Sequence, residues 1–259
     1  MDHDQGELML TTDRTSNRNG ATRSPPLQVR LLVVDDHPAV RTGLVHLLEG
    51  QYDFSVDAVG INAQSAVAQA ESKRIDVAIV DYQLGGRNGL WVCRRLKQLP
   101  ESPRVIIFSA FANDHLAACC AVAGADAMLN KGVLGSELCD AVRSVARGRR
   151  LLPRVPPPLA EMLRRRLGER EQMLFGMLLA GIPRTEIARI AGISLREIEV
   201  REDAMLRTLE RLPGELSAST AAGDRGGLDR PISARRTFDR PASRRAGRAK
   251  LAADPTGSS

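Results

Sequence analysis

Asp35, Asp36, Asp81, Ser109 and Lys131 each stand where a short apolar run ends, in a chain of 259 residues. Brought together, three carboxylates repel one another, and a divalent cation held by oxygen ligands would offset that repulsion. Oxygen ligation with spare coordination positions suits Mg²⁺ better than a softer metal. A lysine beside such a cluster implies that an anion binds there too. Metal, ammonium and hydroxyl together describe a phosphoryl site, in which positioning and charge neutralisation do most of the work.

The elements that must position these residues can be read from the runs themselves. Residues 29–34 (VRLLVV), 75–80 (IDVAIV), 104–108 (RVIIF) and 125–130 (ADAMLN) are short, apolar and mostly β-branched or aliphatic, and 54–59 forms a weaker alternating run. Strands buried on both faces read in this way. Between them lie segments long enough for one helix each: Val40, Leu44, Leu47 and Leu48 in the first, 63–73 in the second, and Leu90, Cys93 and Leu96 in the third. The fourth spans 113–123 behind an Asn-Asp cap, and the fifth carries Leu134, Leu138, Val142 and Val145. The alternation predicts an α/β domain with a five-stranded, doubly wound parallel sheet over 29–148. In such a sheet the strand ends share one edge, where ligands bind. Three acids, a hydroxyl and a lysine would then meet in one crevice.

At these positions the sequence resembles the flavodoxin-like receiver domain of bacterial response regulators. The resemblance implies that Asp81 is the phosphoacceptor, that Asp36, Asp81 and, through water, Asp35 bind Mg²⁺, and that Gln83 adds its backbone carbonyl. It also implies that Ser109 hydrogen-bonds the phosphoryl group and that Lys131 pairs with it. The stretch 34–44 is similar to receivers whose output is a LuxR-type helix-turn-helix. Two positions depart from the family: Met128 stands where an aromatic residue is usual, and Gly132 follows the lysine where proline is usual. A phosphatase using Asp81 as nucleophile would need a second acid close after it, and Gln83 cannot serve.

Beyond the receiver, 149–166 reads as a basic, proline-rich linker: 153–158 (PRVPPP) has polyproline character and 159–166 a short basic helix. Residues 167–212 predict a small all-α domain. Met173, Leu174, Met177 and Leu178 mark one helix, 185–191 a second, Gly192 a turn, and Ser194 the cap of a third carrying Ile198, Met205 and Leu209. This is a helix-turn-helix signature, and the stretch resembles the LuxR-type output domain. The resemblance implies DNA contacts from the third helix, through Ser194, Arg196, Glu197, Glu199 and Arg201, with Arg184 joining them. Residues 1–28 and 213–259 read as a disordered leader and a disordered basic tail.

Charge qualifies the output domain. Residues 167–212 hold seven Arg against eight acids, and the third helix is itself acidic, which opposes phosphate contacts. The basic surplus lies in the linker and the tail. Two functions follow from different classes. The first is a transcription regulator phosphorylated by a sensor histidine kinase or a small acyl phosphate, binding promoter DNA, contacting RNA polymerase and pairing as a homodimer on phosphorylation. The second is a phosphorylation-gated module that docks on RNA polymerase, a sigma factor or another regulator without reading DNA. Neither is an enzyme beyond accepting and losing its own phosphoryl group, so no further catalytic residue is expected. No run approaches the ~18 apolar residues of a membrane helix, which predicts a cytoplasmic protein without membrane contact. Cys93, Cys119, Cys120 and Cys139 lack metal spacing and read as buried thiols.

Overall fold

The computed structural model describes residues 28–211; the expected tail, the last residue of the expected helical domain, Leu212, and all but the end of the expected leader lie outside the described residues. Strands β1 (Val29–Val34), β2 (Phe54–Gly60), β3 (Val77–Asp81), β4 (Arg104–Ser109) and β5 (Ala127–Asn130) form a single parallel sheet in the order β2-β1-β3-β4-β5. The order turns back at β1, so the carboxyl ends of β1 and β3 flank the switch point where open α/β sheets bind ligands.

Side chains alternate across the sheet, and both faces are covered. Leu31 and Val33 of β1, with Ile79 and Ile106, pack against Leu44 and Leu48 of α1 (Pro38–Glu49) and Leu138, Val142 and Val145 of α5 (Gly135–Ala146). The opposite face lies under α2 (Ala63–Ser72), α3 (Gly89–Leu96) and α4 (Asp114–Ala123). β3 is buried at all five positions, which explains why its sequence shows no alternation. Asn62, Asn88 and Asn113 each cap a helix by accepting a backbone N–H, and the expected cap at Asn113 bonds the Leu116 amide at 2.8 Å. Such caps contribute about 1 kcal/mol each.

Several expectations shift. Leu134 is the exposed N-cap of α5 and not part of its buried face, and Val40 and Met173 are exposed. The 3.6-residue period marks a face but not where a helix begins. The linker is less free than its composition implies: Leu151 extends the sheet beyond β5, donating to the Asp126 carbonyl at 2.7 Å. Helix α6 (Pro157–Arg164) starts two residues before the expected 159, because prolines fit the first helical turn, where no N–H partner is needed.

The second domain consists of α7 (Glu169–Leu179), α8 (Arg184–Ala191) and α9 (Leu195–Leu209). Its core is Leu174, Phe175, Leu178, Ile187, Ile198, Met205 and Leu209, with Leu163 of α6. Gly192, at φ +64°, makes the left-handed turn between α8 and α9, and Ser194 caps α9 by accepting from the Glu197 amide at 3.1 Å. Among the described residues, no helix is long and apolar enough to cross a membrane.

Candidate functional site

Asp35, Asp36, Asp81, Ser109 and Lys131 end β1, β3, β4 and β5 on one edge, as the strand pattern requires. Asp35 and Asp81 are almost wholly buried. Lys131 Nζ lies 2.7 Å from Asp35 Oδ2 and 2.9 Å from Asp81 Oδ2, so a single ammonium bridges two carboxylates. Burial raises the Asp81 carboxyl above the ordinary aspartate range, against the pull of Lys131. Burial also opposes the charge on Lys131, yet its bonds to Asp35 and Asp81 outweigh it and hold the ammonium above its usual value.

Asp36 sits at the mouth of the crevice, accepting the Gly85 amide at 3.1 Å. The Gln83 amide donates to Asp81 Oδ1 at 3.2 Å, which puts this residue beside the carboxylate as expected. Ser109 is buried at the end of β4 and accepts the Phe111 amide at 3.1 Å, which ties its hydroxyl to the following loop. Gly89 fixes the return of the chain. A Cβ there would collide with the Asp81 carbonyl, because the first residue of α3 comes back against the end of β3 to donate to Tyr82 at 2.8 Å.

Two oxygens identify what the crevice lacks. Asp36 Oδ1 and Asp81 Oδ2 are buried, and among the described residues each is met by a single side chain, His37 Nδ1 at 2.8 Å and Lys131 Nζ at 2.9 Å. Ligand atoms of Asp35, Asp36, His37 and Asp81 lie within 4.8 Å of one another. A carboxylate-rich set with buried oxygens that each meet only one side chain among the described residues fits a hard divalent cation. His37 is an addition that the strand-end argument missed, since it lies one residue into the loop; its Nδ1 is 2.8 Å from Asp36 Oδ1. Met128 is buried in β5 and donates its amide toward the Leu151 carbonyl, so the segment after α5 covers the edge beside it. All four cysteines are buried and free, and burial pushes the Cys93 and Cys119 thiols up to about 11 and about 12.

The helical domain packs on α4 of the receiver through α9, α7 and α6, and one edge of α9 also reaches α3. Arg94 of α3, with its side chain only 4% exposed, donates to Glu202 at 2.5 Å, to Asp203 at 3.0 Å and to the Glu199 carbonyl at 3.1 Å. Glu202 is fully buried, and its other oxygen accepts from Arg184 at 2.7 Å. Burial raises the Glu202 carboxyl, with Arg184 and Arg94 pulling against it. Asn88 donates to Glu210 at 2.9 Å, and His115 Nε2 meets the Leu209 carbonyl at 3.1 Å. Gly124, at φ +84°, ends α4 where Arg184 lies against it; a Cβ there would strike the guanidinium. Arg184 and Glu199 were expected to face DNA; Arg94, Asn88, His115 and Glu210 were not singled out in the sequence, although the unexplained acidity of α9 was the signal for such a junction.

The expected DNA-facing residues divide. Ser194, Arg196 and Glu197 are exposed. Arg196 pairs with Glu199 at 3.2 Å, and Arg201 pairs with Glu197. Arg184 is turned into the domain junction, held by Glu202 and by the Ala123 carbonyl at 3.3 Å.

The chain is similar to proteins of known function. A family profile described as the response regulator receiver domain matches residues 31–143. The chain is 32% identical over 170 residues to the DNA-binding transcriptional activator DevR/DosR of Mycobacterium tuberculosis, a match covering 62% of this chain and 78% of that protein. It is 28% identical over 191 residues to the nitrate/nitrite response regulator protein NarL of Escherichia coli, covering 70% and 88%. Among solved structures, a two-component response regulator of the LuxR family from Aurantimonas sp. SI85-9A1 matches with a TM-score of 0.47 at 28% identity, over 52% of this chain and 94% of that one.

Proposed function

The chain belongs to the LuxR-type response regulators of two-component systems, and on that premise we propose that it accepts a phosphoryl group on Asp81 and thereby changes its hold on promoter DNA. The observation that carries this reading is the meeting of Asp35, Asp36, Asp81 and Lys131, with Ser109 at the next strand end, on one edge of the sheet. An Asp81 oxygen forms the new P–O bond while the bond from phosphorus to the donor's histidine nitrogen or acyl oxygen breaks. The donor is a sensor histidine kinase or a small acyl phosphate. Lys131 screens the charge delivered to Asp81, and Ser109 supplies a hydroxyl to the phosphoryl oxygens. Mg²⁺, held by Asp35, Asp36, Asp81 and the Gln83 carbonyl, would neutralise charge as the phosphoryl group transfers. Loss of the group by hydrolysis is the only other covalent step, so the protein turns over no substrate.

The output is DNA binding by the helix-turn-helix, through the exposed Ser194, Arg196 and Glu197 and through Arg201, with Glu199 and Arg184 becoming available once the receiver lets go. The acids that suggested an outside protein partner for α9 already have one within the chain. Glu202 and Asp203 hold Arg94, and Glu210 holds Asn88. Charge on Asp81 therefore acts by loosening this edge of α9. Pairing of two phosphorylated copies and contact with RNA polymerase belong to the same proposal.

The test of the phosphoacceptor is label transfer from a radioactive acyl phosphate in Mg²⁺ to the full chain. Base-labile label is expected on the wild type and absent from Asp81→Asn; label retained at full level in the variant would refute the assignment.

A further inference from the structure

Between α3 and α9 lies a cleft of about 480 Å³, outside the phosphoryl site and lined from both domains. Arg87 and Arg95 stand over Trp91, with guanidinium carbons 4.7 and 5.5 Å from the ring centroid, and Arg207 of α9 also lines the space. The acids in the lining are already engaged, Asp203 by Arg94 and Glu210 by Asn88. Among the described residues, the Arg87, Arg95 and Arg207 side chains have no carboxylate partner, and the only side-chain hydrogen bond any of them makes is from Arg95 to Gln98. Three guanidiniums sharing one cleft repel one another, and a ligand carrying several negative charges removes that repulsion. Planar guanidinium forks match phosphoryl oxygens two at a time, and stacking on Trp91 fixes two of the three forks before any ligand arrives. The volume lies within the range of small-molecule sites, roughly 300–1,000 Å³.

We infer that this cleft binds a polyphosphorylated small anion, a di- or triphosphate chain, free or carried by a nucleoside. Because its lining comes from α3 with the preceding loop and from α9, the ligand binds the docked arrangement and stabilises it by mass action. An intracellular polyphosphate would then hold the output domain on the receiver, independently of the chemistry at Asp81.

Trp91 is the single tryptophan of the chain and lines the cleft, so its fluorescence reports occupancy locally, apart from anions gathered on the basic linker or tail. Full-length protein is titrated with inorganic tripolyphosphate, pyrophosphate and orthophosphate at fixed ionic strength, without Mg²⁺ so that the carboxylates around Asp81 repel the probe. A saturable change is expected, tightening from ortho- to pyro- to tripolyphosphate. Affinity should fall at least tenfold in Arg207→Ala and in Arg87→Ala, and stay within twofold in the distant Arg165→Ala. Adenosine triphosphate binding more tightly than tripolyphosphate would assign a nucleotide; equal binding would assign the phosphate chain alone. No saturable change, equal affinity for orthophosphate and tripolyphosphate, or an undiminished affinity in Arg207→Ala would overturn the site. A circular dichroism melt of each variant guards against loss of fold.

Discussion

Replacing Arg94 with alanine should release the helical domain without any phosphoryl donor. The side chain is 4% exposed and makes three bonds to α9, so its loss can be itemised. The charged bond to the fully buried Glu202 is worth about 1.5–3 kcal/mol. The pair with Asp203, whose side chain is 47% exposed, adds no more than about 1 kcal/mol after solvent screening. Leaving the Glu199 carbonyl unbonded adds about 1 kcal/mol. The full penalty for a buried charge stripped of its partner, about 3–5 kcal/mol, is not reached, because Arg184 still holds the other Glu202 oxygen at 2.7 Å. A net loss of about 3 kcal/mol moves the docking equilibrium roughly a hundredfold, at 1.4 kcal/mol per decade. The assay is binding of unphosphorylated full-length protein to fragmented genomic DNA, read beside Trp91 emission, which must shift when the cleft opens. Affinity within about twofold of wild type together with unchanged emission would refute the reasoning. A companion variant, Arg94→Met with Glu202→Leu, replaces the ion pair by apolar contact of similar volume and should dock again, as buried pairs elsewhere tolerate. If the double variant remains open, charge and not shape holds the junction.

The remaining predictions concern single groups. Gly89→Ala forces a Cβ into the end of β3 beside Asp81, the proposed phosphoacceptor, an overpacking worth about 2–3 kcal/mol; the melting temperature should drop by roughly 5–10 °C in a thermal scan, and label transfer to Asp81 should slow. An unchanged melt would show that the strand end yields more easily than its geometry implies. Burial lowers the imidazole pKa of His115 from 6.5, with the Leu209 carbonyl and Glu210 acting the other way. A group whose docked pKa is depressed resists protonation while docked, so acidification from neutral pH to below 6.5 should loosen the junction. Small-angle scattering should record a larger radius at the lower pH in wild type and a flat response in His115→Gln; a pH response preserved in the variant would assign the effect to another group.

The phosphoryl crevice was legible because its logic is local. A polar residue that interrupts an apolar run must fall at a strand end, and parallel connections force all such ends to one edge, so Asp35, Asp81, Ser109 and Lys131 needed no long-range information. His37 escaped because a loop residue has no period to mark it. Leu134 was misplaced because apolar spacing gives a helix its face and says little about its ends. The junction was out of reach for another reason: Arg94 and Glu202 are 108 positions apart, and nothing local in α3 distinguishes a buried arginine from a solvated one.

What the sequence did offer was an apparent contradiction, a DNA-reading helix with more acids than bases, and its resolution lies in summing charge by face and not by segment. At 100° per residue, Glu199, Glu202, Asp203, Leu206 and Glu210 fall in one arc of α9, and Arg196, Val200 and Arg207 form a second strip that adjoins it, with Arg207 also lining the cleft against α3. The first side meets Arg94 and Asn88 of the receiver; the second is exposed. A helix that must be held by one partner and offered to a polyanion has reason to be acidic toward the first and basic toward the second. Glu202 and Asp203 therefore do not weaken DNA binding by repelling phosphate so much as by gripping Arg94, and substituting them should raise DNA affinity far more in the unphosphorylated full chain than in the phosphorylated one. An equal gain in both states would restore the simple repulsion account and remove the receiver from the explanation.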